Sequence, residues 1–290
     1  MGDNKSIDRE FVRTVIKSRN RYAHKGNFGR VLLVAGHGGM TGAAIFASRA
    51  AMRSGSGLVY TCTAKAAFPV IETAVPEVIC TEWDEAMNRI TTGDSYDAVA
   101  FGPGMGVSAQ TKRMLKTLLL SYDGPLVLDA DGLNVLAKEP DMGNFARAYN
   151  GELILTPHVG EARRLLETDV FGNPDGREEM VMRLAEKYNA VALLKGADTL
   201  VAKRDDDGPE IWQNTSGNPG MATAGAGDVL TGVITSLAGQ GLTAWEAARA
   251  GAFIHGAAGD LACGEKGEYG LIASDIAEDL PYVFKSIVNS

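Results

Sequence analysis

The stretch RVLLVAG at residues 30–36, followed by TGAAIFASRAAMRS at 41–54 and then Gly55, decides the fold. A short apolar run without polar alternation suits a strand buried on both faces. The small and apolar residues after it, stopped by a glycine, suit a helix. The same unit recurs. Residues 58–64, 98–102 (AVAFG), 126–130 (LVLDA), 152–157 (ELILTP) and 190–196 (AVALLKG) each read as a strand ahead of a helical segment. This alternation predicts an α/β fold with a mostly parallel central sheet flanked by helices. Residues 199–203 and 210–214 flank an acidic turn and predict an antiparallel hairpin. Residues 224–238, 244–264 and 274–288 predict a helical C-terminal third. With no Pro/Gly/Ser-rich linker, composition break or internal repeat, residues 1–290 read as a single domain.

The chain has 290 residues, 28 basic and 36 acidic, and a formal net charge of −8. No basic stripe stands out, so nucleic acid is an unsuitable partner. The 35 glycines exceed the average of ~7% and cluster where strands meet helices. Such turns bind phosphate through backbone N–H groups and need no net positive charge. Cys62, Cys80 and Cys263 are odd in number and lack CxxC spacing, which fits a reducing cytoplasm rather than a disulfide framework or zinc site. No run is long and apolar enough to span a bilayer, and the charged start lacks a signal peptide's apolar stretch. Residues 1–6 match the loose N-myristoylation pattern, though a small second residue also simply permits removal of Met1.

In open α/β sheets ligands lie beyond the C-terminal ends of the strands, and every motif falls there. The densest is NTSGNPGMATAGAGD at 214–228. Its small residues leave backbone N–H groups open, and the following helix adds the positive end of its dipole. Asp228 beside bound phosphate would be repelled, a cost offset if it deprotonates a hydroxyl that attacks the phosphate. A lone Asp there serves equally as a helix cap; the glycine-rich approach favours the chemical role. In KGADT, Lys195 suits phosphate oxygens and Gly196 allows close approach, or the lysine is simply solvated. The loop GHGGMTGAA at 36–44 is not GxGxxG, which excludes a standard dinucleotide site, but it suits a close-packed substrate edge, as does GPGMG at 102–106. In DADGLN at 129–134 the two carboxylates and Asn134 suit Mg2+ through water, a substrate amide, or a turn and cap. In TPHVGE at 156–161, His158 would face the cleft, and Glu161 suits either the helix dipole or a Mg2+-bound water.

Together these motifs resemble the ADP/ATP-dependent NAD(P)H-hydrate dehydratase family, a branch of the ribokinase-like fold. The resemblance runs from His24 to about Asp275 and is most specific in NPGMATAGAGDVLTG, residues 218–232. It implies a lyase for metabolite repair that restores hydrated NADH or NADPH (NADHX, NADPHX) while ADP, or ATP in some members, donates a phosphoryl group with Mg2+. It implies that Asp228 is the acid/base residue and that Gly225, Ala226 and Gly227 stabilise the transferring group. Ala43, Ala44, Gly106, Asn134 and His158 would contact the hydrate. Lys195, Gly196, Ala197, Asp198, Thr199 and Gly227 would contact the nucleotide. Ala226 departs from the family's usual Thr, so a backbone anion hole survives but a hydroxyl contact does not. The resemblance further implies a homo-oligomer such as a tetramer and an epimerase carried on a separate chain.

Two other classes remain open on the residues. A kinase of the same fold, acting on a small hydroxyalkyl heterocycle, usually has Asn at the position of His158 and lacks NPGMAT. A nucleotide-sensing protein without turnover would tolerate the loss of Asp228.

Overall fold

In the computed structural model, residues 5–167, 176–205 and 208–289 are described. Residues 1–4 of the myristoylation pattern at 1–6 and the turn residues 206 and 207 lie outside them. Ten strands are assigned among these residues: β1 Lys5–Ser6, β2 Arg30–Val34, β3 Leu58–Cys62, β4 Ile79–Thr81, β5 Ala98–Phe101, β6 Leu126–Leu128, β7 Leu153–Leu155, β8 Val191–Leu194, β9 Thr199–Asp205 and β10 Gly208–Asn214. They form one sheet in the order β1-β10-β9-β8-β7-β6-β5-β2-β3-β4. Every pairing is parallel except those of β9, which runs antiparallel to β8 and β10 as the expected hairpin.

The continuous apolar runs are explained by burial on both faces. Val31, Leu33, Ala100, Val127 and Ile154 pack into one core, and Leu32, Val34, Phe101, Leu126 and Leu128 into the other. The period of two is present, but neither face is wet, so the sequence does not alternate. The first core is covered by the helices Thr41–Arg53, Ala226–Gly239, Ala244–Gly270 and Ala273–Val288. The second is covered by others, including Ala109–Ser121 and Gly176–Tyr188. Leu32 is fully buried, and Leu32→Ala would cost about 2–5 kcal/mol.

The expected strands at 58–64, 98–102, 126–130, 152–157 and 190–196 end one or two residues early. Their last residues form the turns that carry the motifs. The helix expected at 244–264 runs on to Gly270, with a non-helical Gly267 (φ 71°, ψ 166°) near its end. Ala247, Ala248, Ala250, Ile254 and Ala258 on it are buried, so its small residues pack within this chain. Among the described residues no helix is long and apolar enough to cross a membrane.

The strand order also locates the site. From β2 the chain winds outward through β3 and β4, then returns to β5 on the other side of β2 and winds through β6, β7 and β8. The order reverses between β2 and β5, and in open α/β sheets that switch point opens the ligand crevice.

Candidate active site

Gly225 (φ 92°, ψ −13°) begins the helix Ala226–Gly239, and no side-chain cap hydrogen bond is made to it. The Ala226 N–H makes a long bond of 3.4 Å to Thr223 O, and the first turn has no side-chain cap to compete with a ligand. A Cβ on Gly225 would lie 2.5 Å from Phe46 Cδ2, and the positive φ strains any other residue. The contact ties the anion hole to the helix that carries Ala43. Asp228 lies inside the first turn and is not the N-cap, so capping does not account for it. Burial first, and Asp129 second, push its carboxyl up to about 7, against the opposing charge of Lys195.

Beneath this turn lies a buried charge pair. Lys195 Nζ donates to Asp129 Oδ1 at 2.7 Å, and Thr231 Oγ1 donates to Asp129 Oδ2 at 2.7 Å. Burial works against the lysine's charge, but Asp129, Glu161 and Asp228 outweigh it and hold Lys195 above its ordinary range. A Cβ on Gly227 would stand 3.3 Å from Lys195 Nζ. The missing side chain leaves the ammonium open to the anion hole.

The second carboxylate of DADGLN faces elsewhere. Asp131 Oδ2 accepts from the Gly106 N–H at 2.7 Å, and Asp131 Oδ1 from Asn134 Nδ2 at 3.3 Å. Asn134 Oδ1 in turn accepts from Arg164 Nε at 3.1 Å. Between the two acids, Ala130 takes φ 46°, ψ −114°. Such a backbone is costly outside glycine and is tolerated where the surroundings impose it. Here it separates the two aspartates, one into the charged floor and one toward Gly106. Both oxygens of each already accept protein donors.

The switch-point edge is built from absent side chains. A Cβ on Gly102 (φ 131°) would fall 1.9 Å from Asp129 O, and one on Gly104 (φ 60°) 2.7 Å from Ala43 Cβ. A Cβ on Gly106 (φ 71°) would come within 3.3 Å of the His37 ring. The structure thus brings Ala43, Gly106, Asp131 and Asn134 together. Ala44 is fully buried and lies against Gly36, so its part in the site is packing.

His158 caps the helix Val159–Leu166. Its Nδ1 accepts from the N–H groups of Gly160 at 3.0 Å and Glu161 at 3.3 Å, while Glu161 Oε2 accepts from the His158 N–H at 2.9 Å. An accepting Nδ1 leaves the proton on Nε2, and the side chain is 55% exposed. His158 bridges Lys195 in parallel register, so TPHVGE and KGADT lie side by side. In the loop after Lys195, Gly196 has φ 148° and Asp198 φ 55°. Arg177 Nη1 donates to Ala197 O at 2.5 Å, and Thr199 Oγ1 to Gly196 O at 2.9 Å.

Among the described residues no three His, Cys, Asp or Glu side chains are grouped to hold a bare metal ion. Mg2+ binds mostly through phosphates and waters with one or two carboxylates. The site therefore fits Mg2+ carried on a nucleotide, with the buried Glu161 carboxylate near Lys195.

A family model described as NAD(P)H-hydrate dehydratase matches residues 31–282. The ADP-dependent (S)-NAD(P)H-hydrate dehydratase of Neisseria meningitidis is 39% identical over 279 residues, covering 95% of this chain and 92% of that one. The chain belongs to the NAD(P)H-hydrate dehydratase family. A bifunctional NAD(P)H-hydrate repair enzyme of Moorella thermoacetica is 38% identical over 96% of this chain but 53% of its own length. The chain thus spans about half the length of the bifunctional relatives. The crystal structure of an ADP/ATP-dependent NAD(P)H-hydrate dehydratase from Bacillus subtilis, co-crystallised with ATP/Mg2+, superposes with TM-score 0.87 at 32% identity and covers 99% of this chain and 100% of that one.

Within this dehydratase-family frame, the residues that sequence reasoning missed are partners of those it found. Arg164 and Arg177 lie outside every motif, and Thr231, though inside NPGMATAGAGDVLTG, has a role set by Asp129, far away in the chain. His255, on the helix Ala244–Gly270, was missed too. It sits against the Ala226 backbone, its ring held neutral because burial lowers its pKa to about 4.

Proposed function

We propose that this chain, as one domain spanning residues 1–290, is an ADP-dependent (S)-NAD(P)H-hydrate dehydratase, a carbon–oxygen lyase that returns NADHX and NADPHX to NADH and NADPH with release of AMP and phosphate. The carrying observation is Asp228. Its carboxyl lies near neutrality at an uncapped helix start with a lysine beneath, where a phosphoryl group and an attacking hydroxyl would meet. A general base works best with a pKa near the working pH.

Hydroxide is a poor leaving group. Asp228 accepts the proton of the hydrate hydroxyl as that oxygen takes the terminal phosphoryl group of ADP. The N–H groups of Gly225, Ala226 and Gly227 receive the charge of that group. The C–O bond then breaks with the ring nitrogen's electron pair assisting, the oxygen departs as phosphate, and the iminium left behind gives up a proton from the neighbouring ring carbon to solvent, restoring the ring double bond. Residues 195–199 hold the nucleotide. Ala43, Gly106, Asn134 and His158 hold the hydrate, with Ala44 packed behind them. When bound on the nucleotide, Mg2+ would neutralise phosphate charge, with Glu161 the residue that would hold one of its waters. ATP serves as donor in the same site. The chain works as a homo-oligomer, a tetramer in this reading, in the cytoplasm and beside a separate epimerase chain.

The test is to mix the protein with NADH hydrate, Mg2+ and either ADP or ATP, and to follow absorbance at the reduced-nicotinamide band. A nucleotide-dependent rise is expected, faster with ADP. No rise with either, while ATP is consumed against a hydroxyethyl heterocycle, would move the chain to the kinases of this fold.

A further inference from the structure

We propose that Asp129 is a positioning residue for the reaction: from beneath Gly227 it anchors the Lys195 ammonium and, with it, fixes the charge balance under the Asp228 carboxyl. The inference rests on Asp228 being the proton-exchanging group of the proposed function.

The two partners are unequally placed. The Asp129 side chain is 2% exposed and that of Lys195 19%. The carboxylate is thus the buried anchor and the ammonium the end that opens on the site. Asp129 is held from both sides, by Lys195 on β8's end and by Thr231 on the helix Ala226–Gly239. It therefore locks the lysine to the same helix whose first turn forms the anion hole. Gly227 keeps the gap between them free. A phosphoryl group in that gap meets Lys195 from below without any movement of the backbone.

A buried ion pair is a poor device for stability alone, because desolvation cancels most of its attraction and an apolar pair would serve as well. Its worth lies in the field it sets. Asp129 and Lys195 act on Asp228 with opposite signs, the first raising and the second lowering its proton affinity. Around them, Glu161 adds negative charge to Lys195, and His255 from the adjacent helix is neutral. When Lys195 engages phosphate, Asp129 stays fixed to Thr231 and keeps its charge near Asp228.

The test uses Asp129→Asn and Lys195→Met. Removing the Asp129 charge also frees the lysine, and both changes favour ionised Asp228. Removing the lysine does the reverse. The Asp228 carboxyl is read by 13C NMR titration, its signal assigned by its loss in Asp228→Asn. We expect its midpoint to fall by about one pH unit in Asp129→Asn and to rise by a similar amount in Lys195→Met. The limb of the kcat/KM profile for NADH hydrate that reports Asp228 should move the same way. Asp129→Asn should lower kcat by tenfold or more. The double variant removes both charges, so it should recover the melting temperature of the parent but not its kcat. Midpoints that stay put or move together in both single variants would overturn the proposal. So would a double variant with parental kcat. Should Asp228→Asn keep its turnover, the acid/base reading fails, and the NMR midpoints still decide whether Asp129 and Lys195 set the Asp228 charge.

Discussion

The two sides of the crevice are made by opposite means. The edge between β2 and β5 is shaped by side chains that are missing: Gly102, Gly104 and Gly106 stand where a Cβ would strike Asp129 O, Ala43 or His37. The floor under the helix Ala226–Gly239 is made of charges held out of water, Asp129, Lys195 and Asp228. An edge built from backbone fixes shape and is intolerant of added volume. A floor built from charge fixes proton affinity and is sensitive to pH. Ala130, with its imposed backbone, is the joint between them, sending Asp129 to the floor and Asp131 to the edge.

The largest effect that would sharpen this contrast is Gly102→Ala. The new Cβ would overlap Asp129 O at 1.9 Å in a backbone that disfavours side chains, so stability should fall by more than about 3 kcal/mol. Denaturant unfolding reads this, and an unchanged midpoint would break the account of the edge. His158→Ala comes next. Losing its half-exposed imidazole should weaken hydrate binding about 10–100-fold, the worth of one polar contact to a strong partner. Losing its cap should cost about 1 kcal/mol of stability. ADP affinity should change far less, and equal losses of the two ligands would remove His158 from the hydrate's side.

A pH-dependent effect tests the floor. Asp228 has a folded pKa of about 7 against an ordinary 3.8, so the folded state binds the proton more tightly than the unfolded chain. Its ionisation costs nothing below pH 4. The cost grows as pH rises from about 4 to about 7 and is constant above. Asp228→Asn lacks this cost. The variant should therefore melt several degrees above the parent at pH 8, about 4 kcal/mol, and no higher at pH 4. A gap of the same size at both pH values would refute the shift. The smallest effect expected is that of Ala226→Thr. The anion hole is backbone, so turnover should stay within about threefold by steady-state kinetics. A tenfold gain would show that a hydroxyl is wanted there.

Much of this architecture was legible before any coordinates. Strands buried on both faces announce themselves as unbroken apolar runs, which is why β2, β3 and β5–β8 were found. The strands β1 and β4 were not, because two or three residues at a sheet edge carry no period. Strand order was not legible either, and with it the switch point. The glycine motifs were readable because turns with positive φ demand glycine. The Asp129–Lys195 pair spans 66 positions, and only the sheet brings it together. The opposite facing of Asp129 and Asp131 depends on the φ of Ala130, which an alanine does not advertise. For Asp228, the glycine-rich approach favours the base over the cap, and in the structure the N-cap position falls to Gly225.

The central claim is that Asp228 exchanges a proton with the substrate while the backbone around it holds the nucleotide. Asp228→Asn tests it most directly, with turnover of NADH hydrate and calorimetric binding of ADP measured on the same protein. Turnover should fall by about a thousandfold or more, with ADP affinity kept within a few-fold or improved by the lost repulsion. Near-parental turnover, or loss of nucleotide binding in step with turnover, would contradict the account.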